Sequence, residues 1–431
     1  MSSAQQFTDL TKNYIDGLDL ADRKKLGQYM TPQFLGQRMA EKLSSPVAGS
    51  KILDPAVGTA ELLLSHKEIH GSTQPLQYYG WDVDKGMLET AKSNLSEGIF
   101  EEHSLFNPFP QEFENFFDYI IGNPPYFEVK KDDPAITTCD LVTLNERGRL
   151  NIYALFFEYA LKLLKPGGEM VFLVPPSMNN GAYFTLTRRN ILENAVINSI
   201  EIVKENSHFA DALTSVQIIH LTKTADSYEN NLKASAPWVV DFNEVTQTPV
   251  AEVTLPIIFT ADKETITNQW SNSYNLNQLG FKVSTGKIPW NQVKHLFLPE
   301  KEYDEGIPLL YSKDIDVNNQ LSLKSALDDR RYLPADYKHS QEGQKIIVNR
   351  IIGALTNPNL RFCLVDLNTK YVTENHVNVI EPAESDTSVS LDSLAQQLAA
   401  SNLWLGKYLS SLSGNTQLSA KELAYLIPFK K

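Results

Sequence analysis

The sequence has few cysteines and no long apolar run. Cys139 and Cys363 are the only cysteines among 431 residues, and their wide separation offers neither a metal-ligand spacing nor a disulfide framework. No stretch approaches about 18 consecutive apolar residues, and the first residues are polar, so neither a membrane span nor a signal peptide is expected. We therefore expect a cytoplasmic protein with reduced cysteines, no membrane association and no metal.

Positive charge is also scarce. The chain has 52 Asp and Glu against 39 Lys and Arg, which gives a net charge of −13. Nucleic-acid binding depends on contacts between phosphates and basic residues, so this balance argues against such a partner. A cleft can still be locally basic on an acidic protein, and a nucleic acid is therefore not excluded.

The pattern of apolar residues predicts two domains. From residue 1 to residue 224, short apolar runs alternate with helical spacing, which predicts a doubly wound, mostly parallel α/β sheet. Residues 225–235 are polar and aperiodic, as is typical of a linker. Beyond them, short β-like runs and frequent turns predict a second domain of α+β type over residues 236–431.

Acidic residues follow the first two predicted strands. The first strand ends at Asp54 and leads into a turn of small residues, including Ala56 and Gly58, where a ligand could approach the backbone. This turn lacks the three-glycine dinucleotide pattern, so a nicotinamide cofactor is not expected. Asp82, after the second strand, is placed to bind ribose hydroxyls or to cap a helix, and Asp84 is the predicted cap of the helix that follows.

A third predicted strand runs into Asn123-Pro124-Pro125-Tyr126. The two prolines lack N–H donors and fix φ, so they end the strand and keep Asn123 in a stiff, extended backbone. The Asn123 amide oxygen and the Pro124 carbonyl could accept both hydrogens of a planar amine, while Tyr126 stacks on its ring. The nitrogen lone pair would then be free to attack an electrophilic methyl group. The alternative is that the prolines only terminate the strand.

Two further segments carry candidate contacts. Thr31 precedes Pro32 and a helical pattern, which predicts Thr31 as the N-cap; the helix end could receive a carboxylate, or Thr31 could serve only as a cap. In the second domain, a polar loop contains Lys287, Trp290 and Asn291. Such a loop suits base or phosphate contacts, or it is a surface turn around a buried tryptophan.

Together these motifs resemble those of amino-group DNA methyltransferases of the adenine-N6 type, in the subgroup whose target-recognition domain comes last. The resemblance covers the first 224 residues well and the remainder loosely. It implies a Rossmann-like methyltransferase sheet, S-adenosylmethionine as cofactor and double-stranded DNA as partner, with the target adenine flipped out of the duplex. It also implies the modification role in a restriction-modification system, whose nuclease would be a functional and not a physical companion.

The resemblance assigns residues to this site. The implied cofactor-binding residues are Tyr29, Thr31, Asp54, Ala56, Gly58, Asp82, Ser104 and Pro125. The implied catalytic residues are Asn123, Pro124, Pro125, Tyr126 and Phe209; without the resemblance, Phe209 is interpreted as a core residue. Ser104 stands where many members carry an acid that contacts the cofactor adenine. The candidates for DNA contact are Lys287, Trp290, Asn291, Arg350 and Asn375.

Two other functions are compatible with the Asn-Pro-Pro-Tyr motif. Enzymes that methylate a release-factor glutamine or a ribosomal base resemble it too, because a glutamine amide also presents a planar amine. The long C-terminal domain argues against the release-factor enzymes, which have no such extension. A catalytically silent DNA-recognition subunit is the second alternative, and the intact motif argues against it.

Overall fold

The structure is a computed structural model in which the chain forms two compact units. One comprises Met1–Ser235 with Asp241–Thr246, and the other comprises Ala236–Val240 with Gln247–Lys431. The described residues are 7–17, 30–71, 75–130, 136, 141–145, 150–203, 216–224, 238–241, 246–249, 258–260, 262–270, 272–323, 330–350, 360–384, 387–412 and 417–431. Tyr29, Phe209 and the predicted linker 225–235 lie outside these residues.

The first unit is built on a mostly parallel sheet, as predicted. Its described strands are β1 (Lys51–Asp54), β2 (Gln77–Asp82), β3 (Ile99–Glu102), β4 (Phe117–Gly122), β5 (Glu128–Val129), β6 (Leu150–Asn151), β7 (Leu164–Val174), β8 (Ala195–Val203) and β9 (Val216–Lys223). Seven of these strands form one sheet in the order β3-β2-β1-β4-β7-β9-β8. Within this sheet, β3, β2, β1, β4 and β7 are parallel, and β9 runs antiparallel to both of its neighbours.

Helices cover this sheet. The described ones are α1 (Asp9–Asp16), α2 (Gln33–Ala40), α3 (Glu61–His70), α4 (Lys85–Asn94), α5 (Ile152–Leu163) and α6 (Thr185–Asn194). Leu35 and Met39, four residues apart on α2, are buried with Leu63 of α3 and Ile52 of β1 in one apolar cluster. The two helices approach closely because Gly36 has no side chain: a Cβ there would lie 2.3 Å from the Ser65 hydroxyl.

The first residues of β7 form a bulge against β4. Leu164 pairs with Phe117 and Glu169 pairs with Tyr119, so four residues on β7 lie opposite one residue on β4. Gly167, at φ +79°, takes the left-handed conformation that this bulge requires. Strand β7 therefore starts several residues earlier than the apolar run alone indicates.

The chain after residue 235 is α+β, as predicted. Its described strands are β10 (Trp238–Asp241), β11 (Thr246–Pro249), β12 (Ile258–Thr260), β13 (Phe281–Thr285), β14 (Gly306–Leu310), β15 (Tyr332–Pro334), β16 (Lys345–Asn349), β17 (Phe362–Val365), β18 (Val372–Thr373) and β19 (Val377–Pro382), and its helices are α7 (Lys263–Trp270), α8 (Leu391–Ser401), α9 (Leu405–Leu412) and α10 (Ala420–Tyr425). The sheets are β11-β10-β12, β13-β19-β16-β17 and β15-β14-β18. In the described parts of the chain, no helix is both long and apolar enough to cross a bilayer.

Candidate active site

The parallel strands bring the predicted site residues to one edge of the sheet. Strand β1 lies between β2 and β4, so their carboxyl ends adjoin, and a cavity of about 500 Å³ opens there. That volume is within the range of small-molecule sites. The predicted residues that line the cavity are Thr31, Asp54, Ala56, Gly58, Asp82, Ser104, Asn123 and Pro125.

Asn123 stands at the cavity wall just beyond the end of β4. Its amide nitrogen donates a hydrogen bond to the Thr31 hydroxyl at 3.0 Å, and its amide oxygen accepts one from the Tyr126 hydroxyl. The Tyr126 hydroxyl also lies 2.8 Å from the Leu173 carbonyl of β7. The carboxamide is thus held by its own protein while it faces the cavity. The hydroxyl has one hydrogen and two acceptors, so it can keep a partner when the amide oxygen is engaged elsewhere.

The predicted capping role of Thr31 is wrong. Helix α2 starts at Gln33 and its N-cap is Pro32, which provides no capping side chain. The Pro32 carbonyl accepts the first helical hydrogen bonds, from Leu35 and Gly36. Thr31 is buried and accepts the Asn123 amide across 92 residues of sequence, so its hydroxyl orients the carboxamide and not the helix.

Tyr126 belongs to an aromatic group beside the cavity. Its ring packs edge-on against Tyr153 at 5.8 Å, and Tyr153 stacks on Phe184 at 5.1 Å. Burial raises the pKa of the Tyr153 hydroxyl, which therefore stays protonated. The Tyr126 side chain is half-buried, and its hydroxyl and its ring both contact protein.

Asp82 orders the loop that follows β1. Its carboxylate accepts backbone hydrogen bonds from Gly58 at 2.9 Å and from Asp84 at 3.0 Å. Asp84, and not Asp82, caps α4 by accepting from Gly86 and Met87, as predicted. Burial raises the pKa of Asp82, and the two backbone hydrogen bonds oppose that rise.

Gly58 gives the loop its shape. It has φ +52°, and a Cβ at this position would lie between the sulfur atoms of Met30 and Met87, 3.7 and 3.8 Å away, on the wall of the cavity. Ala60 is also left-handed, at φ +70°, where a side chain is strained. The loop therefore leaves space for a ligand at the expense of local backbone strain.

Asp54 is the most perturbed acid of the site. It is 1% exposed, and its hydrogen bond with a backbone donor is from Ala56 at 3.1 Å. Burial, with a further contribution from the charge of Asp82, raises the pKa of Asp54 to about 8. A buried acid with a raised pKa in a cleft is a mark of a functional site.

The segment after β3 forms the apolar part of the cavity. Ser104 accepts the backbone N–H of Phe106 at 3.2 Å, so its hydroxyl oxygen serves its own turn. Leu105 and Phe106 line the cavity. His103 also lines it and is held against Trp81, with ring centroids 4.6 Å apart. The prediction did not include His103 or Glu61, which line the cavity as well; an acid at the start of an apolar helix was the available signal for Glu61.

The predicted DNA-contact residues of the second unit lie near one another. The backbone of Ile288, next to Lys287, exchanges hydrogen bonds with Thr373 and Asn375. Arg350 donates to the Asn375 carbonyl at 2.8 Å, which ties the predicted arginine to this segment. Lys287 and Asn291 are exposed, while Trp290 is half-buried.

Comparisons with known proteins identify the family. The family described as N-6 DNA methylase matches residues 7–295. The chain belongs to that family. It is similar to Type II methyltransferase M.PstI of Providencia stuartii, with 24% identity over 63% of this chain and 59% of that protein. It is also similar to Type II methyltransferase M.BsuBI of Bacillus subtilis, with 23% identity over 94% and 87%.

Several curated relatives are longer than the region they share with this chain. Four of them are matched over only 36% to 59% of their own length. Among solved structures, the methyltransferase subunit of a type I restriction-modification system from Streptococcus thermophilus is 19% identical, with a TM-score of 0.39 over 46% of this chain and 45% of that one.

Membership of this family confirms S-adenosylmethionine as the expected cofactor, and the cavity fits it. The carboxylate of Asp82 suits ribose hydroxyls, the apolar walls around Leu105 suit an adenine ring, and the missing side chain at Gly58 leaves room between two methionines. Among the residues that the structure describes, the lining contains acids and neither Lys nor Arg, which suits a ligand that carries positive charge.

Proposed function

We propose that this chain is a site-specific DNA methyltransferase that modifies N6 of adenine in duplex DNA, as the modification enzyme of a restriction-modification system. The observation that supports this most directly is the Asn123 carboxamide, which follows β4 and lines the same cavity as Asp82. The similar Type II methyltransferases and the N-6 DNA methylase family support the same activity.

The reacting groups divide between cofactor and protein. S-adenosylmethionine, when bound, supplies an electrophilic methyl group on a sulfonium. Asn123 and the Pro124 carbonyl accept the two hydrogens of the target amine, which turns its lone pair out of conjugation with the ring. No strong base is required, because the nitrogen becomes acidic once it is methylated. Catalysis then depends on positioning and on stabilising the charge that develops on nitrogen.

Tyr126 and Thr31 prepare Asn123 for this role. In the structure, Thr31 fixes the amide nitrogen at 3.0 Å, which directs the oxygen away from Thr31 and toward Tyr126. When the amine arrives, the Tyr126 hydroxyl can turn fully to the Leu173 carbonyl, 2.8 Å away, and release the Asn123 oxygen. The two tightly placed partners thus fix the rotamer before substrate binds.

The target base must leave the duplex to reach this cavity. Unstacking and unpairing cost a few kcal/mol, and stacking on an aromatic side chain offsets roughly 1–3 kcal/mol per base. Tyr126 is the described aromatic residue closest in sequence to the catalytic amide, and Phe209 is the second one assigned by resemblance. Two such contacts are sufficient to offset the cost of extrusion.

The second unit offers a cationic surface for the DNA backbone. Lys294 and Arg330 each lie 4.9 Å from the centre of the Trp290 ring. The ring is therefore engaged by two cations, so Trp290 acts as their platform and not as a free face for a base. With Lys287 on the same loop, this cluster suits phosphate contacts. DNA could therefore bind at a locally basic surface even though the net charge of the chain is negative.

Methyl transfer from tritiated cofactor to unmethylated duplex DNA, RNA and protein tests the proposal. We expect label in duplex DNA, recovered as N6-methyladenine, with methylation-sensitive sequencing giving one recurrent sequence. Label in RNA or protein, or in methylcytosine, would contradict it. Asn123→Ala should lower turnover by about 10²–10³-fold and leave cofactor and DNA binding largely intact, whereas Asn123→Asp keeps acceptor oxygens and should retain more activity.

A further inference from the structure

Glu61 lines the cavity and has no role in the proposed methyl transfer. It is the first residue of α3, it is 6% exposed, and it lines the same cavity as Thr31, Thr59 and Asn123. It also borders a smaller cavity of about 280 Å³ enclosed by residues of α1, α2 and α3. A carboxyl group is costly to bury without a partner, so this position requires an explanation.

The N-terminal helix α1 fixes Glu61 from outside the cavity. The backbone N–H and the hydroxyl of Thr8 both donate to the same oxygen, Oε1, at 2.9 Å. The next turn of α1 continues the contact, since the Thr11 hydroxyl donates to Thr59 at 2.9 Å. Further along, Tyr14 donates to Asp84 at 3.2 Å. Helix α1 thus holds three residues that line the cofactor cavity.

The other oxygen of Glu61 has no hydrogen-bond donor among the residues that the structure describes. Two of the cavity acids already accept a hydrogen bond at each oxygen: Asp82 holds the backbone of Gly58 and Asp84, and Asp84 holds the cap of α4 and Tyr14. Asp54 also keeps an oxygen without a donor in the described chain, but it is protonated near neutral pH because its pKa is raised to about 8. Glu61 is therefore the anchored acid with an oxygen to offer.

The order of the strands shows which part of the cofactor would meet it. Asp82 ends β2 and Ser104 follows β3, on one side of β1, and Asn123 follows β4 on the other. The adenosine contacts thus come from the β2 and β3 side. Thr59, two residues before Glu61, donates to the Met30 sulfur at 3.9 Å, and Thr31, next to Met30, holds the Asn123 amide at 3.0 Å. These contacts connect the start of α3 with the Asn123 side of the cavity, so Glu61 belongs to the end that takes the amino-acid part of the ligand.

We propose that Glu61 binds the ammonium group of the cofactor's amino-acid part, and that α1 is a positioning element for this contact through Thr8. The inference rests on the proposed cofactor. It makes Glu61 a specificity determinant: a nucleoside without the ammonium group gains nothing from it. Because Thr8 fixes one oxygen, the second is held in place before the ligand arrives, which reduces the entropy lost on binding.

Calorimetric titration with two ligands tests this contact without relying on turnover. One ligand is S-adenosylhomocysteine and the other is its deaminated analogue, in which hydrogen replaces the ammonium group. We expect Glu61→Gln to weaken binding of S-adenosylhomocysteine about tenfold to hundredfold, the range for a hydrogen bond between charged groups. The same variant should weaken binding of the deaminated analogue less than about threefold, because there is no cation to lose.

Two further variants complete the test. Glu68→Gln is the matched control, since Glu68 lies on α3 and borders only the smaller cavity; it should change neither affinity. Thr8→Val removes one of the two donors to Glu61 and should weaken only S-adenosylhomocysteine, by about twofold to fivefold. If Glu61→Gln does not fold, Thr8→Val decides the question by the same comparison of ligands.

The outcomes separate this inference from the proposed function. Equal weakening of both ligands, or no weakening, would overturn the ammonium contact and leave Glu61 as an anchor for α1. Failure of the unmodified chain to bind S-adenosylhomocysteine at all would instead overturn the cofactor assignment. Tight binding by the unmodified chain with a ligand-dependent loss in Glu61→Gln supports both.

Discussion

Asp314 in the C-terminal unit and Asp54 in the N-terminal unit are both almost fully buried, but their surroundings differ. Asp314 is 0% exposed and pairs with the guanidinium of Arg331, itself 2% exposed, with one N···O distance of 2.8 Å. The Tyr311 backbone adds a hydrogen bond at 2.7 Å. Asp54 has a backbone hydrogen bond and an acidic neighbour, Asp82. Asp314 is paired with a cation within the fold, whereas Asp54 has no cationic partner among the described residues.

The same contrast extends to neighbouring acids. In the C-terminal unit, buried Glu374 accepts from both the backbone and the ring of His376, at 2.8 and 2.6 Å. Around the N-terminal cavity, Asp82 and Glu61 are held by backbone and hydroxyl donors, and neither forms an ion pair with a described Lys or Arg. A fold can satisfy its buried acids when only stability is involved. Acids left without cations therefore indicate a site that binds a positively charged ligand.

The largest effect should come from breaking the pair in the C-terminal unit. Asp314→Asn leaves Arg331 buried with an uncompensated charge, which should lower the free energy of unfolding by about 3–5 kcal/mol. Chemical denaturation followed by tryptophan fluorescence measures this, since Trp270 is buried in the same unit. Asp304→Asn, at an exposed position, is the control and should change stability by less than about 0.5 kcal/mol. If Asp314→Asn left the free energy of unfolding unchanged, the contrast between the two buried acids would not hold.

The equivalent substitution, Asp54→Asn, should raise the free energy of unfolding instead of lowering it. The folded pKa of about 8 lies above the ordinary value of 3.8, so between these pH values the unfolded chain has lost a proton that the folded chain keeps. The unfolded state then binds fewer protons, and stability falls as pH rises from 3.8 to about 8. Asp54→Asn removes this penalty and should stabilise the N-terminal unit above that range by on the order of a few kcal/mol, since each tenfold change in the acid dissociation constant corresponds to about 1.4 kcal/mol.

The pH dependence is what distinguishes this effect from simple repacking. The gain in stability of Asp54→Asn should disappear near the ordinary pKa of aspartic acid, where Asp54 is protonated in both the folded and the unfolded state. Thermal unfolding of the unmodified chain and of Asp54→Asn across this pH range measures the gain. Destabilisation by Asp54→Asn at high pH would show that Asp54 is compensated after all. Cofactor binding should weaken in the same variant, because Asp54 lines the cavity.

Local patterns were sufficient to predict where this cavity lies. The apolar runs ending at Asp54 and Asp82 and the two prolines after Asn123 define strand ends, and parallel strands place those ends together. The features that orient the side chains are not local. Thr31 meets Asn123 across 92 residues, and Thr8 meets Glu61 across 53. Such pairs form because segments far apart in the sequence pack together on the sheet. No periodic pattern in the sequence indicates which residues will meet in this way.

Where a local rule failed, another local preference prevailed. Thr31 was predicted as a helix cap because threonine is a common N-cap, but Pro32 takes that position with φ −59° and ψ 146°, and the free hydroxyl serves Asn123. The pairing of Asp314 with Arg331, 17 residues apart in the sequence, was not predicted either. An ion pair of this kind depends on which strands adjoin, and the short strands of the second unit give little indication of their order.

The smallest expected effect refines the comparison within the cavity itself. Asp82 uses its oxygens to hold the backbone of Gly58 and Asp84, yet each carboxylate oxygen can accept a second hydrogen bond. If these remaining positions bind ribose hydroxyls, Asp82→Asn should weaken S-adenosylhomocysteine by about 1–2 kcal/mol, roughly fivefold to thirtyfold. Glu102→Gln, at the exposed end of the neighbouring strand β3, should have no effect. A 2′,3′-dideoxy analogue of S-adenosylhomocysteine, which lacks the ribose hydroxyls, decides the cause. If Asp82→Asn acts by losing contacts to these hydroxyls, the unmodified chain and the variant should bind the analogue with nearly the same affinity. If the substitution only disturbs the loop, the variant should bind the analogue more weakly than the unmodified chain, by the same factor as for S-adenosylhomocysteine.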